Sequence, residues 1–271
     1  MCVFEQTAGF CGANILRRPV SFVGPDCMSK ASNPLQNRLL ASLPNDSLQR
    51  LESNLHLVPM PLGQILHQQH VPFEFVFFPT TAAISLVSVL KDGASAEIGL
   101  IGKEGMVGTS LLMGGGDAAC QALVQSAGEG YRLKVALLKT EFEQSPEVLH
   151  LLLRYVQSLM IQTSQTAVCN RHHSVDQQLC RWLLLTLDRI TVNQVSMTQE
   201  LIAQMLGVRR EGVTAAAGKL QEAGLIHYSR GVITVVDRSG LELRSCECYA
   251  TVKYETDRLV PIPVHASRID G

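Results

Sequence analysis

Residues 197–231 read MTQELIAQMLGVRREGVTAAAGKLQEAGLIHYSRG, and this stretch decides the fold. Ile202, Leu206, Val208, Val213 and Leu220 recur at the spacing that buries one side of two short helices. Ala203 is small where crossing helices must approach closely. Gly207 stands between the helices, where the chain reverses and a positive φ is cheap only for glycine. Arg209, Arg210 and Glu211 open the second helix, the place where a helix-turn-helix presents side chains to base edges in the major groove. Gly224-Leu225-Ile226 and then Tyr228-Ser229-Arg230-Gly231-Val232-Ile233 predict a strand, a tight turn and a strand, the wing of a winged helix. An ordinary helical hairpin explains the apolar spacing, but not the Arg-Arg-Glu opening together with the trailing wing.

Upstream, Ser174 or Asp176 starts a helix carrying Leu179, Trp182, Leu183, Leu185 and Leu187 into this motif. Before it, Pro146 opens a long helix, proline being favoured in a first turn. Leu149, Leu152, Val156, Leu159 and Thr163 keep a 3-4 spacing along it, and Leu153, Met160 and Ala167 form a second apolar stripe beside them. A helix with two apolar stripes needs two partners. One stripe is expected on the chain's own sheet domain and the other on a second copy, with Leu149, Leu152, Val156, Leu159 and Thr163 assigned to the dimer seam. Between residues 57 and 138 the texture is one of short apolar runs separated by turn signals, Lys91-Asp92-Gly93 being the strongest hairpin signal. Strands are expected at 56–59, 64–67, 74–78, 83–90, 96–101, 121–126 and 130–135, and many short strands at such spacing predict a sandwich or jelly roll. The fold class is therefore α+β. An irregular arm occupies 1–33, a jelly-roll sensor domain 34–145, a dimerisation helix 146–170, a winged helix-turn-helix 171–245 and a tail 246–271.

The 271 residues are 46% hydrophobic, enough for a sizeable core, and carry a formal net charge of -1. A near-neutral chain does not coat nucleic acid non-specifically, although a local basic surface still permits a specific site. Aromatics at 5% disfavour a single-strand binder that stacks bases. Among the eight cysteines, Cys2, Cys11, Cys27, Cys120, Cys169, Cys180, Cys246 and Cys248, none forms a C-x-x-C pair. The N-terminal stretch has no basic and apolar secretory pattern, and no apolar run is long enough for a bilayer. A reduced, cytoplasmic protein with no membrane partner is the expectation.

The order jelly roll, long helix, winged helix resembles the Crp–Fnr superfamily of bacterial transcription regulators. The resemblance spans roughly residues 45–245 and is strongest in Ser174-Val-Asp-Gln-Gln-Leu-Cys-Arg-Trp-Leu-Leu and in 197–231. It implies that Arg210 donates to guanine and Glu211 accepts from cytosine, pairings that suit both side chains. Thr198 and Gln199 would hold a phosphate at a helix start, Arg209 would contact the backbone, and Thr214 belongs to the same DNA-facing set. Ala215 stands where the family has a further base-reading arginine, so a different half-site is expected. The implied partners are double-stranded DNA with a palindromic operator, a second copy of the chain, RNA polymerase and a small-molecule effector.

In cyclic-nucleotide members of that superfamily a Gly-Glu pair holds the ribose and an arginine followed by Ser or Thr holds the phosphate. Here Gly108 is kept, Thr109 replaces the Glu, Ser110 follows, and Ala119-Cys120 stands where the Arg pair belongs. A buried phosphate without its counter-charge is costly, so the effector pocket around these residues is expected not to take cyclic AMP. Cys2, Cys11 and Cys27 are too widely spaced for the family's iron–sulfur pattern. Cys246-Glu247-Cys248 reads as packed or surface thiols, too tight a pair for one zinc, and His172-His173 as a solvated helix break. No metal and no cofactor are therefore expected. An enzyme of the cupin type is the competing class, from Gly63, His67, His70 and Glu74, but residues three apart on a strand point to opposite faces. A ligand-binding module without a DNA role is a third, opposed by the complete winged helix.

Overall fold

The computed structural model describes residues 33–261. Asn37 ties the start of this region to the sheets: its Oδ1 caps the short helix α1 (Arg38–Ala41) and its amide donates to Pro79 O and Gly105 O at 2.9 and 2.8 Å. After α2 (Asn45–Glu52) come the strands β1 (His56–Met60), β2 (Ile65–His67), β3 (Phe75–Pro79), β4 (Ala83–Val89), β5 (Ser95–Ile101), β6 (Gln121–Ser126) and β7 (Gly128–Lys134). They form two antiparallel sheets, β1-β7-β3 and β2-β6-β4-β5. The hairpin β4–β5 closes over Gly93, whose φ of 88° is left-handed, and Asp92 Oδ1 accepts from Ala94 N at 3.0 Å. Alternation along the strands turns Met60, Ile84, Ile101, Val107, Ala122 and Val124 into one apolar cluster between the sheets. The result is the double-sheet jelly roll of the α+β expectation.

Helix α3 (Val135–Gln144) leads into α4 (Pro146–His172), which starts as the sequence indicates: Ser145 caps it and Pro146 occupies the first turn. Two contacts bind α4 to the barrel. Gln162 both donates to and accepts from Leu100 of β5, at 3.0 and 2.8 Å, and Tyr155 donates to Met106 O at 3.1 Å.

The two stripes of α4 are reversed relative to the sequence reading. Leu152 and Val156, assigned to a dimer seam, are 1% and 6% exposed inside the chain itself. Leu159 and Thr163 sit over Gly99 of β5, with Leu159 Cδ1 3.3 Å from where a Cβ would stand, and Leu149 is half-buried. The open stripe is the other one: Leu153 is 39% and Met160 62% exposed, and Ala167 follows a heptad later. Both stripes keep heptad spacing, so spacing alone does not rank them. The one with more bulk is spent on the chain's own sheets.

The capping box of α5 (Val175–Leu187) uses Ser174 and Gln177. Then come β8 (Gln194–Ser196), α6 (Gln199–Leu206), α7 (Arg210–Glu222), β9 (Ile226–Ser229) and β10 (Val232–Val235), with the sheet ordered β8-β10-β9. Trp182, Leu183, Ile202, Val213, Leu220 and Ile233 share a core with Val87 and Leu100 of the barrel, so the two halves are packed on each other. Buried Arg189, just beyond α5, forms an ion pair with buried Glu104 of the barrel at 2.7 Å.

The segment 246–271, read as a tail, begins with a helix. After α8 (Arg238–Arg244), α9 (Glu247–Leu259) runs back along α4 and ends with Leu259 and Val260 in the core that holds Leu39, Leu40 and Leu152. Cys248, Tyr249, Val252, Thr256 and Leu259 form its buried face, an i, i+4, i+8 pattern that includes a cysteine and a threonine and that the sequence reading did not follow. His173 is not a solvated break either: it caps α4 and is half-buried against the start of α9. The arm 1–33, apart from its last residue, lies outside the described residues. No helix among the described residues is long and apolar enough to cross a membrane.

Candidate nucleic-acid interface

The two helices that carry the expected DNA contacts are joined by Gly207, whose φ of 66° and ψ of 33° place it in the left-handed region that ends α6. Val208 N then donates to Ala203 O at 3.0 Å, fixing the turn, and α7 begins two residues later. Arg209 is the residue before α7 and makes no side-chain cap, so the first-turn N–H groups of the helix keep no side-chain acceptor from that position. Arg210 and Glu211 follow as its first helical residues, and all three side chains are exposed. None of the ion pairs among the described residues engages Arg209, Arg210 or Glu211. Two adjacent guanidinium groups thus face solvent at a helix start, a charge pattern that folding alone does not require.

Thr198 caps α6 by accepting from Leu201 N at 3.3 Å, so it is at the helix start as expected and its hydroxyl is exposed. Gln199 reaches across to the second helix: Thr214 Oγ1 lies 2.7 Å from Gln199 Oε1 and 3.1 Å from Arg210 O. The fold therefore brings Thr198, Gln199, Arg210 and Thr214 onto one surface. Two residues outside the expected set complete it. Gln221 of α7 accepts from Tyr228 N at 2.7 Å and holds the wing strand to the recognition helix. Arg230 is at the wing tip with φ of 51°, next to Gly231 at 79°, a turn that aims a third guanidinium outward. The Arg-Gly pair in a hairpin turn was the signal for it.

The expected effector residues also gather. Gly108, with φ of 114°, starts a 3-10 turn, Thr109–Met113, and a Cβ there would stand 2.9 Å from Val76 and 3.7 Å from Phe73. The loop carrying Ala119 and Cys120 is drawn to the same place, since Phe73 N donates to Gly116 O at 3.0 Å and His70 N to Ala118 O at 2.8 Å. His67 stacks on Phe73 with ring centroids 3.5 Å apart, and burial lowers its pKa despite Asp117 nearby. His67 Nε2 and Ser110 Oγ are buried without a protein hydrogen-bond partner. Burial raises the Cys120 thiol, which keeps it protonated rather than a phosphate-binding or redox group. In this stretch the cationic side chain that a cyclic phosphate needs is absent from the sequence.

A winged helix-turn-helix with an exposed arginine face, packed on a jelly roll through a long helix, defines a DNA-binding regulator. Residues 177–244 match the Crp-like helix-turn-helix domain family. The global nitrogen regulator of Nostoc sp. is 25% identical over 174 residues, covering 60% of this chain and 78% of that protein. Its counterpart from Synechococcus elongatus is 23% identical over the same length. A crp/fnr-family transcriptional regulator from Eubacterium rectale has the same fold, with a TM-score of 0.61 at 19% identity, over 76% of this chain and 96% of that one. So does FixK2 from Bradyrhizobium japonicum, with a TM-score of 0.61 at 16% identity, over 71% and 98%. The chain thus carries a Crp-like helix-turn-helix domain, is similar to regulators of the Crp–Fnr superfamily, and is a DNA-binding transcription regulator.

Proposed function

We propose that this regulator binds an inverted-repeat DNA site as a cytoplasmic homodimer joined along the open stripe of α4. The observation that carries the DNA assignment is the pair Arg209 and Arg210, exposed and unpaired at the start of α7. Arg210 and Glu211 read base edges, while Thr198, Gln199 and Arg209 position the protein on phosphates. Thr214 contributes by holding Gln199 in place. Arg230 of the wing adds a backbone contact on the flank. For the dimer, Leu153, Met160 and Ala167 recur every seven residues on the exposed face of α4, the period at which two helices supercoil.

The jelly roll takes a small-molecule effector other than cyclic AMP. Its polar anchors are Ser110 Oγ and His67 Nε2, buried groups that gain a partner when a ligand arrives. RNA polymerase is the partner through which bound protein changes transcription. The test is selection of bound duplexes from a random pool by the full-length protein, with and without a metabolite extract. Enriched inverted repeats with half-site centres about 34 Å apart support the reading. Enrichment of single half-sites contradicts the dimer, and no enrichment in either condition contradicts the specific-DNA assignment.

A further inference from the structure

Four metal-ligand groups that are far apart in the sequence meet where the long helix ends. Cys169 and His173 lie one turn apart at the end of α4, and Cys246 and Cys248 are the cap and second residue of α9. Their donor atoms all lie within 4.8 Å of one another. Cys169 Sγ is 3.5 Å from Cys246 Sγ, and Cys248 Sγ is 3.6 Å from His173 Nδ1. All three thiols are buried, and the cluster they form contains no other apolar side chain. We propose that Cys169, His173, Cys246 and Cys248 form a closed tetrahedral site for one zinc ion, which clamps the end of α4 to the start of α9.

Geometry distinguishes this from an ordinary nest of packed thiols. Zinc bound by sulfur at about 2.3 Å and nitrogen at about 2.0–2.1 Å in a tetrahedron needs ligand atoms about 3.5–3.8 Å apart. The Cys169–Cys246 and Cys248–His173 separations are at that edge length, and the remaining pairs, within 4.8 Å, close to it as the ion draws the ligands in. An iron–sulfur cluster distributes its cysteines over different irons and spreads the thiolates more widely than this. The histidine is prepared from behind. Its Nε2 is 3.4 Å from Glu247 Oε2, which leaves Nδ1 to face the ion in the carboxylate–histidine–metal arrangement that fixes the tautomer. Three thiolates and a neutral imidazole give the zinc complex a net charge of about -1. Buried Arg181 acts electrostatically on Cys169, and its Nε has no protein hydrogen-bond partner. In sequence the pairing Cys246-Glu247-Cys248 reads as too tight for one zinc and as packed or surface thiols. At a helix start both sulfurs curl round to one side, and the second half of the site arrives from α4.

The proposal stands apart from the DNA and effector assignments and is tested without them. Full-length protein, reduced and freed of metal, is titrated with cobalt(II) as a spectroscopic stand-in for zinc. The expected result is one cobalt per chain, with thiolate charge-transfer bands and the intense visible bands of tetrahedral geometry, bleached by added zinc. Replacing Cys2, Cys11 and Cys27 with serine leaves these bands in place, and Cys246→Ser with Cys248→Ser removes them. Glu247→Gln keeps the spectrum but weakens cobalt binding about 10-fold. If the double variant does not fold, alkylation of the wild type replaces it. Cys169, Cys246 and Cys248 then become reactive on chelation and are protected again by zinc. Octahedral spectra, bands that survive the double substitution, alkylation indifferent to chelator, or a Cys169–Cys246 disulfide in protein isolated without air would each overturn the proposal.

Discussion

Glu97 is buried on β5, and replacing it with glutamine should remove a defined piece of the protein's pH dependence. Ser85 Oγ is 2.6 Å from Glu97 Oε2 and 2.5 Å from Gln125 Oε1, and Gln125 Nε2 donates to Thr186 Oγ1 at 3.1 Å. Thr186 in turn donates to Trp182 O at 2.9 Å. A serine hydroxyl has one proton and here has two acceptors beside it. The chain is satisfied when Glu97 is itself protonated and donates to Ser85, which donates to Gln125. Burial acts in the same direction: it raises the Glu97 pKa from 4.5 to about 7, against the opposing pull of Ser85 and Arg181. The folded pKa is thus above the unfolded one. The stabilisation is complete below the unfolded value and is lost as pH rises through about 7.

At 1.36 kcal/mol per unit the full shift corresponds to about 3 kcal/mol, most of which falls between pH 5 and pH 8. The assay is urea unfolding of wild type and Glu97→Gln across that range. The wild type should lose about 2–3 kcal/mol relative to the variant on going from pH 5 to pH 8. Parallel curves for the two proteins would mean that Glu97 is ionised in the fold and that the proton count is wrong.

On the proposed dimer face, Leu153→Asp with Met160→Asp should give a folded monomer by sedimentation, whereas Leu152→Asp should unfold the chain. A double variant that sediments like wild type rules out this face. Arg210→Ala should cost on the order of 1–3 kcal/mol per half-site and relax preference at one base pair, while Arg209→Ala should weaken all sequences alike and flatten the salt dependence. Equal loss on specific and scrambled duplexes for Arg210→Ala would make it a phosphate contact only. Calorimetry should detect no micromolar binding of cyclic AMP, and a clear isotherm would show that the barrel has found another phosphate ligand set.

Much of the fold could be read because local chemistry and tertiary context agree. The β4–β5 hairpin is announced by Lys91-Asp92-Gly93, α4 by Pro146, and α6–α7 by Gly207 between two apolar periodicities. The placement of Arg209 and Arg210 at an exposed helix start was legible for the same reason: they have no structural duty to disguise them. What failed required knowledge of partners. Leu152 and Leu153 are adjacent, apolar and on helical stripes of equal period, and only the barrel's position decides which is buried. The last helix has a buried face built from Cys248, Tyr249, Val252 and Thr256, too mixed to stand out as an apolar stripe. Cys169 and Cys246 become neighbours only through packing, so neither the site they share nor the role of His173 is visible in spacing along the chain.

The return of α9 along α4 makes the DNA-reading unit a cassette inserted into a helical pair. Its entrance after Cys169 and its exit before Cys246 lie side by side, with the two sulfurs 3.5 Å apart. Units with neighbouring ends are the kind that tolerate exchange. A different winged helix spliced between His173 and Ser245 would meet the same ends, but it would also have to refill the core that Trp182 and Leu183 share with Val87 and Leu100 and to pair Glu104 in place of Arg189. The converse is less intuitive. Cutting the chain after Ser245 leaves every DNA-facing residue in place, yet strips Leu259 and Val260 from the barrel's core and Asp257 from Arg38. A C-terminal deletion in this protein is therefore a lesion of the jelly-roll half as well as of the winged-helix core that holds Tyr249 and Val252.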